Sequence, residues 1–414
     1  MSFSTWRETV FGELASSDRS AFSMGPFGSK ITKENYIKSG IPVVRGGNLS
    51  RGIFLDDDFV YISPEKADDL KSANVEPGDL IFTHRGTIGQ VSMIPRNPRY
   101  SRYVIGSSQV KCRLDESLSI PEFYYYWFQS HQGQRSILAH VSTVGVPGIA
   151  TPLTSIRGLK VPCPSRGEQQ AIVEVLGALD DKIAANRRII VTVEDLLQSR
   201  FAQGGLDREV VSSADSVMVE ELIEFNPKVP KPHVSEAVYV DMAALPTVSA
   251  RVTRWGVRSP SGGARFVNGD TVMARITPCL ENGKTAFVDF MKSGEIGFGS
   301  TEFIVMRSRA GIPEHFSYLL ARSPRFRAHA IASMTGSSGR QRCQVDRVVR
   351  FLMNRPKLEL LEELRTQCDS SFRMMKSLDA ESDSLAELRD TLLPLLISGK
   401  LRVKDAVRTV EEAV

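Results

Sequence analysis

The sequence predicts a mixed α/β (α+β) chain: two duplicated globular domains separated by two long helices that form an antiparallel coiled coil. Three observations carry this. An apolar heptad runs from Ile172 to Leu197, a second runs through residues 357–393, and the segments before the two helices repeat each other at a nearly constant offset. With 414 residues, 42% hydrophobic and 24% charged, the chain has room for two or three domains, each with its own core. This composition excludes collagen-like, low-complexity and disordered classes.

Taken in order, residues 1–164 read as a first domain. Ile41–Val44, Asp79–Phe82 and Gln90–Ile94 look like short strands bounded by Gly, Asp and Pro. Residues 121–139 read as a helix with an aromatic face from Phe123, Tyr126 and Trp127. Residues 165–205 hold the first long helix. Ile172, Leu176, Leu179, Ile183, Asn186, Ile190, Val193 and Leu197 alternate spacings of four and three, the seam of a coiled coil with one polar residue in it. Ser165 is placed to cap this helix and Gly204-Gly205 to end it. At 1.5 Å per residue such a helix is ~55 Å long.

Residues 206–355 read as a linker and second domain, with a helix over 314–329. The second long helix occupies 356–394. Leu364, Ser371, Leu378, Leu385 and Leu392 recur every seven residues, with Cys368, Met375, Ser382 and Arg389 between them, and Pro394 should stop the helix. Residues 395–414 are left as a tail. Helices this long and one-sided need a partner. The natural one is the other helix; the alternative is that each folds onto its own domain.

The repeat supports two copies of one domain-plus-helix unit. Gly78-Asp79-Leu80-Ile81-Phe82 matches Gly269-Asp270-Thr271-Val272-Met273, and Ile105-Gly106-Ser107-Ser108 matches Phe298-Gly299-Ser300-Thr301. Pro121-Glu122-Phe123 matches Pro313-Glu314-His315, at an offset of 192. A period this long is a tandem duplication and not a solenoid repeat.

Charge follows the same division. Residues 1–164 carry 18 basic and 15 acidic side chains, and residues 215–355 carry 19 and 13, while the helical segments are net acidic. Arg outnumbers Lys by 36 to 16. That suits planar recognition of phosphates and guanine edges, although genome composition also raises Arg. Five scattered cysteines without a CxxC argue for free thiols, and the six scattered histidines offer no zinc spacing, so no metal is expected. The polar start and the lack of an ~18-residue apolar run predict a soluble, cytoplasmic protein without membrane contact.

A search for catalytic motifs finds little. Asn97-Pro98-Arg99-Tyr100 is one residue from the Asn-Pro-Pro-Tyr of amino-methyltransferases, and Phe225-Asn226-Pro227-Lys228 is a weaker echo. No Gly-rich loop after a strand precedes either one to hold S-adenosylmethionine, so both read as Asn-Pro turns. No Walker A, GxSxG or carboxylate array is present. The chain is expected to be non-catalytic and to carry no cofactor of its own.

What remains are Gly-, Ser-, Thr- and Arg-rich loops at matched places. In the first copy the candidates for DNA contact are Arg45, Asn48, Thr83, Arg85, Thr87, Ser142 and Thr143. In the second they are Arg275, Thr277, Asn282, Lys284, Arg340, Gln341 and Arg342. Arg and Gln can read base edges bidentately, and hydroxyls and backbone N–H groups bind phosphates. The first-copy loop 142–148 lacks the charge of 335–342, so the two copies would read different sequences.

These residues resemble a known family. Val161-Pro162-Cys163-Pro164, Glu168-Gln169, Ile172, Leu176, Leu179-Asp180 and Ile183 resemble the opening of the conserved helix of type I restriction-modification specificity (S) subunits. Leu392–Leu401 resembles the end of its repeat, and Gly78–Phe82 with Arg85-Gly86 resembles the core of its target recognition domain. The resemblance implies two target recognition domains, each reading half of a bipartite site in double-stranded DNA. It implies helices that set the spacing and dock two methyltransferase (M) subunits, with restriction (R) subunits in systems that also cut. S-adenosylmethionine, ATP and Mg are then expected only on partner subunits. The open alternatives are a specificity subunit for a fused methylase-nuclease partner and a stand-alone DNA adenine methyltransferase.

Overall fold

The structure is a computed structural model and describes residues 6–142, 147–210, 215–252, 254–337 and 339–412. The chain divides into two compact units, residues 1–182 with 384–414, and residues 183–383.

In the first unit, one four-stranded sheet runs in the order Val60–Ile62, Ile41–Val44, Tyr103–Ile105, Asn74–Val75. The second runs Phe22–Met24, Gln109–Cys112, Leu80–Thr83, Val91–Met93. Arg7–Val10 pairs antiparallel with Lys160–Cys163, from Arg7 opposite Cys163 to Val10 opposite Lys160, and so ties the start of the domain to its end. Phe11 is the hub of an aromatic core, with Phe22, Phe82, Tyr124 and Phe128 at ring distances of 5.0–5.9 Å.

The second unit repeats this topology. Its sheets run Gly256–Arg258, Ala237–Val240, Gly297–Gly299, Arg265–Phe266, and Ile223–Phe225, Phe303–Ser308, Thr271–Ala274, Thr285–Phe287. Ser216–Met218 closes it against Leu352–Asn354. In each copy the second strand of the first sheet runs parallel to the third and antiparallel to the first. One buried ion pair is also repeated. Asp79 accepts from Arg113 Nε and Nη2 at 2.8 and 2.9 Å, and Asp270 accepts from Arg307 Nε and Nη2 at 2.6 and 2.8 Å. Each Asp also accepts the backbone N–H three residues back, from Glu76 and Val267, which fixes the turn that enters the strand. Gly78 and Gly269 beside them have φ of +88° and +89°, the left-handed region that favours glycine.

The first long helix is Arg166–Gln203. Ser165 and Glu168 form its capping box: Glu168 N–H donates to Ser165 Oγ, and Glu168 Oε2 accepts from Ser165 N–H at 3.0 Å. Gly205, with φ +80°, ends it. The second long helix is Leu358–Ile397 and passes through Pro394. An internal proline costs ~3 kcal/mol. The turn that continues past it buries Leu396 and Ile397, at roughly 1.5–3 kcal/mol each, which offsets that cost. The residues after it form another helix, Val403–Glu411.

The two long helices pair antiparallel. Within the second unit, Ile190, Leu197 and Phe201 share a core with Leu361, Leu364, Cys368, Phe372 and Met375. Asn186 donates to Glu381 Oε2 at 2.7 Å, while at the other end a Cβ on Gly204 would clash with Leu360. Within the first unit, Arg389 donates to Asp180 at 2.7 Å.

The helix expected over 121–139 is two helices, Pro121–Gln129 and His131–Leu138. Ser130 takes an extended conformation between them and caps the second by accepting from Gly133 N–H at 3.2 Å. Ser323 does the same between Phe316–Arg322 and Pro324–Ala332. No helix among the described residues is long and apolar enough to cross a membrane.

Candidate nucleic-acid interface

In each copy a loop leaves the end of a central strand and is held by a short hairpin. In the first, strand Leu80–Thr83 ends at His84, whose N–H donates to Ser108 O at 2.9 Å and whose carbonyl accepts Ile149 N–H at 3.0 Å. Ile149 belongs to the hairpin of Val141–Ser142 and Gly148–Ile149, and Arg85 bridges to Gly148. Arg85, Thr87 and Ser142 are thereby gathered and exposed on one surface. Burial holds the His84 imidazole below its ordinary pKa, so this support stays neutral.

The second copy is built alike. Arg275 stands where His84 stood: its N–H donates to Glu302 O at 2.9 Å, and its carbonyl accepts Cys343 N–H at 2.8 Å. Thr335 and Ile276 both bridge to Arg342. Thr277 Oγ1 donates to Gln341 O at 3.1 Å and accepts from Gln341 N–H at 2.8 Å. Asn282 is exposed on the loop that returns to Thr285–Phe287, and Arg340 is exposed at the hairpin with no side-chain partner among the described residues.

Several of the residues expected to contact DNA also hydrogen-bond within the protein. Asn48 is buried; its Oδ1 accepts Arg45 N–H and its Nδ2 donates to Asp57 O at 2.8 Å. Thr83 is buried and donates to Gln90 Oε1 at 3.1 Å. Lys284 Nζ donates to Met242 O at 2.8 Å. The Arg342 fork is filled by Glu302, at 2.7–2.9 Å, and this hydrogen bonding holds the Glu302 carboxyl below its ordinary pKa. These four are engaged within the protein: Asn48 and Thr83 are buried, while Lys284 and Arg342 stay partly exposed. Polar residues in Gly-rich loops tie the loop to itself as readily as they face a ligand, and sequence alone does not separate the two uses. Arg45 is exposed, with a single long donation to Asp58 O at 3.5 Å. Thr143 lies outside the described residues.

Two groups were missed. Asn226, Lys228, Arg265 and Thr301 line an open cleft of about 610 Å³ with Arg275, whose Nε is buried without a partner. The signal was the Asn226-Pro227-Lys228 turn, which a methyltransferase comparison had set aside. Arg258 lies 4.1 Å over the Tyr239 ring on the edge strand of the other sheet. The methyltransferase-like Asn97–Tyr100 is a turn: Tyr100 packs among Phe59, Tyr61 and Tyr103, and its hydroxyl is 3.1 Å from that of Tyr61.

Comparison with known proteins bears on this surface. Residues 25–195 match the type I restriction modification DNA specificity domain. The EcoAI type I restriction enzyme specificity subunit of Escherichia coli is 36% identical over 146 residues, 32% of this chain and 24% of that subunit. Residues 25–195 are thus similar to the type I restriction-modification specificity family. The EcoEI specificity subunit of Escherichia coli is 28% identical over 30% of this chain and 22% of its own length. The matched stretches thus span about a quarter of these curated specificity subunits. The fold itself agrees over its whole extent: the crystal structure of a type I restriction-modification S subunit from M. genitalium superposes with a TM-score of 0.52, covering 95% of this chain and 96% of that one at 13% identity. The family match lies in the first copy and the first long helix, and the second copy resembles the first in sheet order and in the repeated Asp–Arg pair.

Proposed function

We propose that this chain is the DNA sequence-specificity subunit of a type I restriction-modification complex, with each copy reading one half of an asymmetric bipartite site. The observation that carries this is a shared frame with unlike exposed groups: Arg85, Thr87 and Ser142 in one copy, Asn282 and Arg340 in the other, on loops held by equivalent hairpins. Tandem, differently decorated readers suit an asymmetric target, because a true dimer would bind a palindrome. The paired helices set the spacing between half-sites and dock two methyltransferase subunits, which bring S-adenosylmethionine and the methylating residues; restriction subunits, ATP and Mg join only where the complex cuts. The subunit positions DNA and performs no reaction.

The test is methylome sequencing of a host that expresses this chain with its methyltransferase partner. Two short specified elements flanking unspecified base pairs are expected, and exchanging residues 206–355 for those of a relative should change one element only. A single contiguous motif, or methylation by the isolated chain, would refute the reading.

A further inference from the structure

The second unit holds a cluster of ligating groups that its first-copy counterpart lacks. His315 precedes helix Phe316–Arg322, and its ring lies between Phe287 and Phe372, at centroid distances of 4.5 and 4.1 Å. Both faces are covered, so only the nitrogen edges can bond. The side chain is 6% exposed, and Nδ1 is buried without a hydrogen bond. A polar atom in that position calls for a partner. Two carboxylates flank the ring: Asp369 Oδ1 lies 3.5 Å from Nδ1, and Glu314 Oε1 lies 4.0 Å from Nε2. One ligand atom from each of the three residues lies within 4.8 Å of the others. They open on a cleft of about 300 Å³ that Asp289 also lines.

We propose that Glu314, His315 and Asp369 bind a divalent transition-metal ion of the zinc class, which fastens the second long helix to the start of helix Phe316–Arg322. The site holds one imidazole nitrogen and two carboxylate oxygens, a donor set zinc accepts, with water to complete it. At metal–ligand distances of 2.0–2.2 Å, two ligands of a tetrahedral ion lie about 3.4 Å apart; the imidazole and Asp369 are spaced for this, and exposed Glu314 can swing in. The nearest cations are partly engaged: Lys376 Nζ donates to Asp289 O, and Arg365 Nη2 donates to Gly311 O at 3.2 Å. Arg373 also lines the cleft.

The first copy shows what this position looks like without an ion. At the repeat offset of 192, His315 corresponds to Phe123 and Asp369 to Gly177. The remaining acid, Glu122, accepts from Arg96 Nε at 2.6 Å and Nη2 at 3.2 Å. An aromatic residue therefore suffices for packing here, and packing does not explain the histidine.

The test is titration of the full chain with ZnCl₂, followed by calorimetry, and with CoCl₂, followed by visible absorption. Saturable binding is expected, with a Co²⁺ spectrum of low coordination number and an unfolding midpoint raised by Zn²⁺. His315→Phe installs the first-copy residue and should stay folded while losing the spectrum and the Zn²⁺-dependent midpoint shift. Asp369→Asn should weaken binding by roughly tenfold or more. Wild-type chain that binds none of Zn²⁺, Co²⁺ or Mn²⁺, or a His315→Phe variant that binds them as tightly as wild type, would overturn the proposal. None of these readouts depends on DNA recognition.

Discussion

The two copies share a frame and differ in its fittings. Sheet order, the strand that closes each domain, the serine between paired helices and the Asp–Arg pair at the central strand are the same in both. The polar groups around that frame are not. Tyr126 donates to Asp180, which also pairs with Arg389. Its counterpart Tyr318 donates at 2.9 Å to Glu194, whose other partner is a backbone N–H, that of Ala250. Both carboxyls come from the first long helix: Asp180 shares a guanidinium, while Glu194 has no ion pair within 4 Å among the described residues, and the counterpart of Asp180, Phe372, packs on Tyr318 at 5.7 Å. Topology survived duplication where it is fixed by buried groups that cannot change singly, and chemistry diverged where one substitution could be accommodated.

The sharpest way to break this comparison is at the shared ion pair. Asp79 and Asp270 are essentially fully buried, and removing one partner of a buried pair costs about 3–5 kcal/mol. The copies should still differ. Arg113 keeps Glu76 at 2.9 Å and Asp18 at 3.8 Å when Asp79 is lost, whereas Arg307 keeps only the charge of Glu224 across the sheet, with no second ion pair within 4 Å among the described residues. Asp270→Ala should therefore destabilise its unit more than Asp79→Ala destabilises the other, read as hydrogen-exchange protection of Thr271–Ala274 against Leu80–Thr83. Equal losses below ~1 kcal/mol would show that the pair is ornamental.

The next effect is on pH dependence. Burial raises the Glu194 pKa to about 7 from 4.5. Between these values the folded protein holds a proton that the unfolded chain releases, so this group's contribution is full below pH 4.5 and declines as pH rises through 7. At 1.36 kcal/mol per pKa unit the span is ~3 kcal/mol. Glu194→Gln should flatten the decline and raise stability at pH 8, while Asp180→Asn in the first copy should lower stability by removing one of the two carboxylates that Arg389 meets, the other being Asp390. Urea unfolding from pH 5 to 8 decides it; a slope unchanged by Glu194→Gln would show that the carboxyl is ionised in the native state.

The duplication and both long helices were legible because heptads and constant offsets are long-range patterns that single side chains cannot disguise. The first helix falls at the expected residues, while Pro394 does not stop the second because a local rule meets two buried apolar side chains beyond it, Leu396 and Ile397. The surface was only half legible. Arg85 and Arg340 are exposed as their loop positions suggested, but Arg342, two residues on, meets Glu302, which is distant in sequence and carries no pattern linking the two. His315 was passed over for the same reason, since its carboxylate partner Asp369 comes from another helix.

The smallest effect most directly tests how the copies divide their labour. Arg85 sits on the loop that leaves the central strand of the first copy and Arg340 on the hairpin that holds the equivalent loop of the second, both exposed and, among the described residues, without a carboxylate partner. If each loop reads its own half-site, Arg340→Ala should cost about 1–3 kcal/mol of DNA affinity and relax preference at one element, and Arg85→Ala should relax only the other. A contact to phosphate alone would weaken binding to all sequences alike and lower the salt dependence by about one ion. Arg342→Ala is the control: it releases Glu302 and loosens the hairpin, so it should affect both affinity and local hydrogen exchange, whereas Arg340→Ala should leave exchange at Thr335 and Arg342 unchanged. Binding measured on oligonucleotides randomised at one element at a time separates these outcomes. If both variants relaxed the same element, the copies would not be independent readers, and the unlike loops would have to act together on one stretch of DNA.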